Sequence, residues 1–133
     1  MNIPNAYLRK SYINALSKYK VYDIAPPNDE VTPELYITVN NILLNEHEEY
    51  KDGREWLVAM SLNVWQVNEK GFNSTISLEE VADDIIHCDL EVDGWRVKSR
   101  KMFDCKQFEP IETDTHTIQR LVVTEKIWLW KDA

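Results

Sequence analysis

Polar and apolar positions change period several times along this chain, and each change marks an element. Between Ala6 and Tyr19 the apolar residues are Leu8, Tyr12, Ala15, Leu16 and Tyr19, which is the spacing of one helix face. Asn5 stands where an N-cap would. The next stretch, VYDIAPPNDEVTP, holds Pro26, Pro27 and Pro33 and predicts a loop, because proline excludes regular hydrogen bonding. In ELYITVNNILLNEHEEY, Leu35, Ile37 and Val39 alternate with Tyr36, Thr38 and Asn40, the period of a strand. Asp52-Gly53 is a hairpin turn signal. REWLVAMSLNVWQV then places Val58, Met60, Leu62 and Val64 on one strand face and Trp65 on the other. The polar tip NEHEEYKDGRE between these strands predicts a long projecting hairpin.

A loop, NEKGFNST, leads to a second predicted helix over about residues 77–88, and Asp93-Gly94 marks another turn. WRVKSRKMFDCKQF and TIQRLVVTEKIWLW read as the third and fourth long strands. In the fourth, Leu121, Val123, Ile127 and Leu129 form one face interrupted by Glu125, and Ile118, Val122, Trp128 and Trp130 form the other. The expectation is one α+β domain over residues 1–133. It has an antiparallel sheet of about four long strands, with two helices packed on one face. Two helices cover one sheet face, so Trp65, Trp128 and Trp130 imply burial of the second face against something else, another subunit being the simplest. Burial beneath the proline loop or the N-terminus is the alternative.

Composition narrows the class. With 44% hydrophobic and 29% charged residues, the chain folds rather than staying disordered. Cys88 and Cys105 are in no metal-binding or redox spacing, which points to thiols in a reducing compartment. MNIPNAYLRK lacks the apolar core of a signal peptide, and no apolar run approaches the roughly 20 residues of a membrane span. A soluble protein made in the cytoplasm, with no membrane partner, is expected. A net charge of −8 disfavours tight non-specific binding to nucleic acid and suits a surface past which DNA slides.

Four places invite chemistry. In EEVADDIIHCDL, Glu80, Asp84 and His87 share a helix face, and Asp84 and His87 have the spacing of a carboxylate–histidine metal pair. A helical wheel sets Val81, Ala82, Ile85, Ile86 and Cys88 on the opposite side, so the acidic face points to water. His47 lies among Glu46, Glu48 and Glu49; on a strand only Glu46 and Glu48 share a face, and an acidic tip is the simpler reading. His116, in DTHT, accompanies no nucleophile motif. Residues 95–106 hold five basic side chains and one acidic one. Alternation would place Arg96, Lys98 and Arg100 on one strand face. They fit either a solvated edge guarded by charge or a contact with DNA phosphates or an acidic neighbour, such as Glu46, Glu48, Glu80 and Asp84 across a subunit interface.

The order of these features resembles the small tail-terminator or tail-completion proteins of tailed bacteriophages. A short N-terminal helix precedes VYDIAPPNDEVTPELYITVNN, a Val-Tyr and proline-rich lead into the first strand. LNVWQVNEKGFNSTISLEEVADDI carries a strand ending in Val-Trp and a glycine loop feeding a helix. LEVDGWRVKSRKMFD and THTIQRLVVTEKIWLW look like the last two strands. The resemblance spans nearly the whole chain. It departs in EPIETDTH, which lacks the glycine often found before the last strand, and in the length of the acidic tip. It implies a virion structural protein, not an enzyme and without a cofactor. Such a protein forms a ring of its own copies, typically a hexamer, that caps the tail tube at the head–tail junction. Its partners would be the tube protein and the head–tail connector, with DNA crossing the channel unread. A head-completion or neck adaptor is the alternative in that setting. A small metal-dependent hydrolase using His47, Asp84, His87 or His116 is the alternative of another class.

Overall fold

The computed structural model describes residues 4–22, 34–46, 54–69 and 75–132. Two helices and six strands follow in the order α1 (Asn5–Ala15), β1 (Lys20–Tyr22), β2 (Glu34–Glu46), β3 (Glu55–Glu69), α2 (Thr75–His87), β4 (Trp95–Gln107), β5 (Ile111–Glu112) and β6 (His116–Lys131). The strands form one sheet in the order β1-β2-β3-β6-β4, and β5 continues the outer edge of β6 beyond β4. The α+β class holds. The sheet is mixed rather than purely antiparallel, because β1 runs parallel to β2. The four long strands β2, β3, β4 and β6 are joined by two short ones that sequence reasoning left as loop. Prolines restrict only their own positions and the residues before them, and Val21 and Tyr22 precede the proline stretch. The hairpin arms pair from Glu34↔Val67 to Glu46↔Trp56, and the tip lies outside the described residues.

Period-2 patterning decides which side of the sheet is buried. Across β2, β3 and β6 the register aligns Ile37, Val64 and Leu121, then Val39, Leu62 and Val123, with Val58 opposite Ile127. These side chains are buried in one core with Leu8, Tyr12 and Leu16 from the first helical segment and Leu78, Val81, Ala82 and Ile85 from α2. The α1 contacts recur every fourth residue, as one face of a helix requires. Each fully buried aliphatic side chain contributes about 1.5–3 kcal/mol of transfer free energy.

The boundaries differ where backbone bonding decides. Asn5 is the first helical residue, not the cap, since the Pro4 carbonyl accepts the Leu8 N–H at 2.9 Å. The helix ends at Ala15, and residues 16–19 turn into β1 through a Tyr19 N–H bond to the Leu16 carbonyl at 2.9 Å. At the predicted second turn, Trp95 N–H bonds to the Val92 carbonyl at 2.9 Å around Gly94 with φ +79°. That geometry is a type II turn, whose third position needs the positive φ that glycine adopts without strain.

Candidate assembly surfaces

The helix-covered side of the sheet contains one ionic cluster. Glu125 sits in the middle of β6, opposite Met60, and is 1% exposed. Arg100 of β4 reaches it through Nε at 3.2 Å and Nη2 at 3.0 Å. The same guanidinium donates to the carbonyls of Ile85 (3.0 Å) and Cys88 at the end of α2, and Tyr12 of α1 donates its hydroxyl to Glu125. One arginine therefore neutralises a buried carboxylate and satisfies carbonyls that a helix end leaves open. Burial, the largest single influence, would lower the Arg100 pKa; the Glu125 charge and hydrogen bond, together with Tyr12 and Cys88, outweigh it and raise the value. Burial, followed by the Glu125 carboxylate, pushes the Tyr12 phenol well above its ordinary range. Burial also raises the Cys88 thiol.

This corrects the reading of Arg96, Lys98 and Arg100 as one exposed stripe. Register shifts between Val97 and Ser99, and again between Met102 and Asp104, interrupt β4. A bulge inserts a residue and breaks strict alternation. Arg100 consequently faces the helices and is part-buried. Arg96 lies opposite Trp130 on the other face, with Asp132 at 3.6 Å. Lys98 lies beside the Trp128 and Trp130 rings, 4.7 Å from each centroid, and 3.5 Å from Glu55, which is 1% exposed.

The side of the sheet opposite the helix contacts carries two separate aromatic and cationic groups. At one end Tyr22 meets Tyr36 edge-on at 5.9 Å, and Tyr36 stacks on Trp65 at 6.2 Å. Arg120 lies 5.0 Å from the Trp65 centroid and 4.6 Å from that of Phe108. At the other end are Trp128, Trp130, Lys98 and Arg54, the last 5.8 Å from Trp130. Eight residues of β6 separate Arg120 from Trp128, roughly 27 Å at strand rise. The three tryptophans expected to anchor an interface thus lie on the expected face but form no single patch. Between the groups, Thr38, Ser61, Asn63 and Thr124 are buried. Trp65 Nε1 donates to Thr38 Oγ1 at 3.2 Å and Arg120 Nε to Asn63 Oδ1 at 2.8 Å, so these long side chains lie flat on the polar floor.

The acidic face of α2 is partly engaged. Glu80 and Asp83 are exposed. Asp84 is half-buried, accepts a bond from Tyr19 and pairs with Lys18 at 2.9 Å. The Tyr19 bond, then Lys18, holds its carboxyl below the usual range. His87 Nδ1 stays within its own helix, 2.9 Å from the Asp83 carbonyl, and His116 Nδ1 lies 2.6 Å from Thr115 Oγ1. Among the described residues no three His, Cys, Asp or Glu side chains gather as a metal site. No described helix is long and apolar enough to cross a membrane. Glu48 and His47 lie outside the described residues, and of Glu46 only the backbone, ending β2, is described.

One surface that sequence reasoning missed is the outer edge of β4. Residues 101–107 are exposed throughout. Of the large hydrophobic residues exposed in the described structure, Met102 (41%), Phe103 (50%) and Ile111 (59%) all lie along this edge and its β5 continuation, and only Tyr7 lies elsewhere. The bulges hide this in sequence, because Met102 and Phe103 fit no alternating pattern.

No family model matches the chain, and no curated protein does. Solved structures similar to it include one that matches over 92% of this chain and 94% of its own, with a TM-score of 0.54 and 16% identity. At that identity the likeness is one of fold.

Proposed function

We propose that this chain is a phage virion structural protein whose copies form a ring at the tail end or head–tail junction, capping the tail tube and docking it to the connector. The observation that carries the reading is a sheet edge with exposed Met102, Phe103 and Ile111. A monomer in water guards such an edge and hides its apolar groups; a subunit of an assembly uses them. The resemblance to tail terminators, stated from the sequence, supplies the setting, and six copies is the number it implies. The net charge of −8 suits a channel wall that DNA passes without adhering. Light scattering coupled to size exclusion, with and without a tail-tube protein, tests the proposal. A small-integer multiple of the chain mass, together with ring-shaped particles by electron microscopy, is expected. A chain that stays monomeric at high concentration in both conditions overturns it.

A further inference from the structure

The sheet has two outer edges, and they are complementary. On one side, among the described residues, β1 covers β2 from Tyr36 to Thr38, and Arg9 Nη1 reaches the Val39 carbonyl at 3.4 Å. Among the described residues no strand pairs with the outer side of β2 over residues 40–46. On the other side, β4 has no neighbour beyond β6 among the described residues. Followed through the register, Asn40 lies level with Ser61, Thr124 and Asp104, and Glu46 lies level with Trp56, Leu129 and Val97. The two open edges therefore occupy the same height of the sheet. Both β2 and β4 run antiparallel to a strand between them in a way that leaves them antiparallel to each other: β2 is antiparallel to β3, β3 to β6, and β6 to β4. Simple continuation of the sheet from one copy to the next sets β4 beside β2 as an antiparallel pair.

Charge favours the same partner. β4, WRVKSRKMFDCKQ, holds five basic residues and one acidic one; β2, ELYITVNNILLNE, holds two acidic residues and no basic one. Four of the five cations on β4 have partners within the chain, Lys106 among them over the Phe108 ring at 5.0 Å, and Lys101 and Lys106 both stand exposed on its open half. A β4–β4 contact centred between Phe103 and Asp104 would set Lys101 of one copy opposite Lys106 of the other, a like-charge pair that destabilises a ladder. The bulges in β4 and the lysines also guard against indiscriminate pairing, but guarding alone does not account for Met102 and Phe103 standing exposed within the same stretch.

We infer that the outer edge of β4, over residues 97–104, receives the outer edge of β2, over residues 40–46, of a second copy of this chain, as an antiparallel extension of the sheet. The contact is head-to-tail, so each copy keeps one edge of each kind and the series closes into a ring if the rotation per copy permits. The inference rests on the ring reading and names the surface that builds it.

Hydrogen exchange of the assembled and dissociated chain tests it. At a concentration about 100 times the dissociation constant, exchange through the free chain slows about 100-fold; amides in both segments should slow together. Two variants sharpen the test: Phe103→Lys blocks β4, and Asn40→Lys with Asn45→Lys blocks β2. Circular dichroism of each checks that the monomer is folded. Each alone should fail to assemble, and an equimolar mixture should give a dimer, because one good edge of each kind survives. Assembly without protection of both segments, or variants that fold and still assemble, overturns this inference and leaves the ring reading standing. Folded variants whose mixture gives no dimer also overturn it. A wild-type chain that never assembles overturns both.

Discussion

Arg100→Met is the most informative single change in the helix-covered side of the sheet. It strips the counter-charge from Glu125, which is 1% exposed, takes the Arg100 donor from the Cys88 carbonyl, and leaves the Ile85 carbonyl with only the Cys88 thiol. Breaking a buried ion pair from one side costs about 3–5 kcal/mol. The Arg100 side chain is 18% exposed, so water reaches it and the lower end, about 3 kcal/mol, is expected. That is a large part of the roughly 5–15 kcal/mol that holds a domain of this size. Glu125→Leu should cost a similar amount, since it strands Arg100 and the Tyr12 hydroxyl together. The double variant should cost much less than the sum, with a coupling energy of about 2–3 kcal/mol, because neither orphaned charge then remains. Adding Tyr12→Phe removes the last unpaired donor. Urea denaturation followed by tryptophan fluorescence measures all four. An Arg100→Met cost below about 1 kcal/mol, or costs that simply add, would refute the account of this cluster as a buried, mutually dependent unit.

Burial, then Glu125, raises the Tyr12 pKa well above 10.0, so its stability contribution is complete below the unfolded phenol value and is lost as pH rises towards the folded one. Stability should therefore fall from about pH 10 upward, by up to about 1.4 kcal/mol per pH unit from this group, and Tyr12→Phe should flatten that limb in alkaline urea titrations, leaving the smaller share from Tyr19, also raised by burial. Cys105 is exposed and Cys88 half-buried, so a thiol reagent at pH 8 should label Cys105 first; its rate should stay below that of a free thiol because burial, then Asp104 and Glu79, raises its pKa. Glu80→Lys, on the exposed face of α2, should change stability by less than about 0.5 kcal/mol. Light scattering of that variant shows whether this acidic face contributes to assembly, and unchanged assembly removes it as a seam. Asp84→Lys is a different perturbation, since it also breaks the Tyr19 and Lys18 contacts.

Periodicity carried most of the architecture. Both helices and all four long strands are legible, because long elements repeat their pattern often enough to dominate local exceptions. The faces followed too: Val58, Met60, Leu62 and Val64 point to the helices, and Trp65, Trp128 and Trp130 point away. What stayed hidden depends on single residues. The strands β1 and β5 are three and two residues long, shorter than any pattern, and owe their existence to neighbours distant in sequence. The bulges in β4 shift alternation by one residue twice, and nothing in WRVKSRKMFDCK announces where.

The first of those bulges, between Val97 and Ser99, also redistributes the chemistry. Strict alternation makes Arg96, Lys98 and Arg100 a positive strip waiting for an acidic neighbour; the folded strand instead spends Arg100 on Glu125, sets Lys98 against Glu55 and brings Arg96 near Asp132. Glu125 looks like an interruption of a hydrophobic face in the sequence, yet a carboxylate there is stable only because the displaced Arg100 meets it. The expected charged seam thus loses its strongest cation to the interior, and Asp84 is engaged by Tyr19 and Lys18. Electrostatics then orients an approaching copy more than it holds one. The binding free energy of any assembly has to come from apolar burial and backbone pairing, and Met102 and Phe103 on the open edge of β4 supply both at one place.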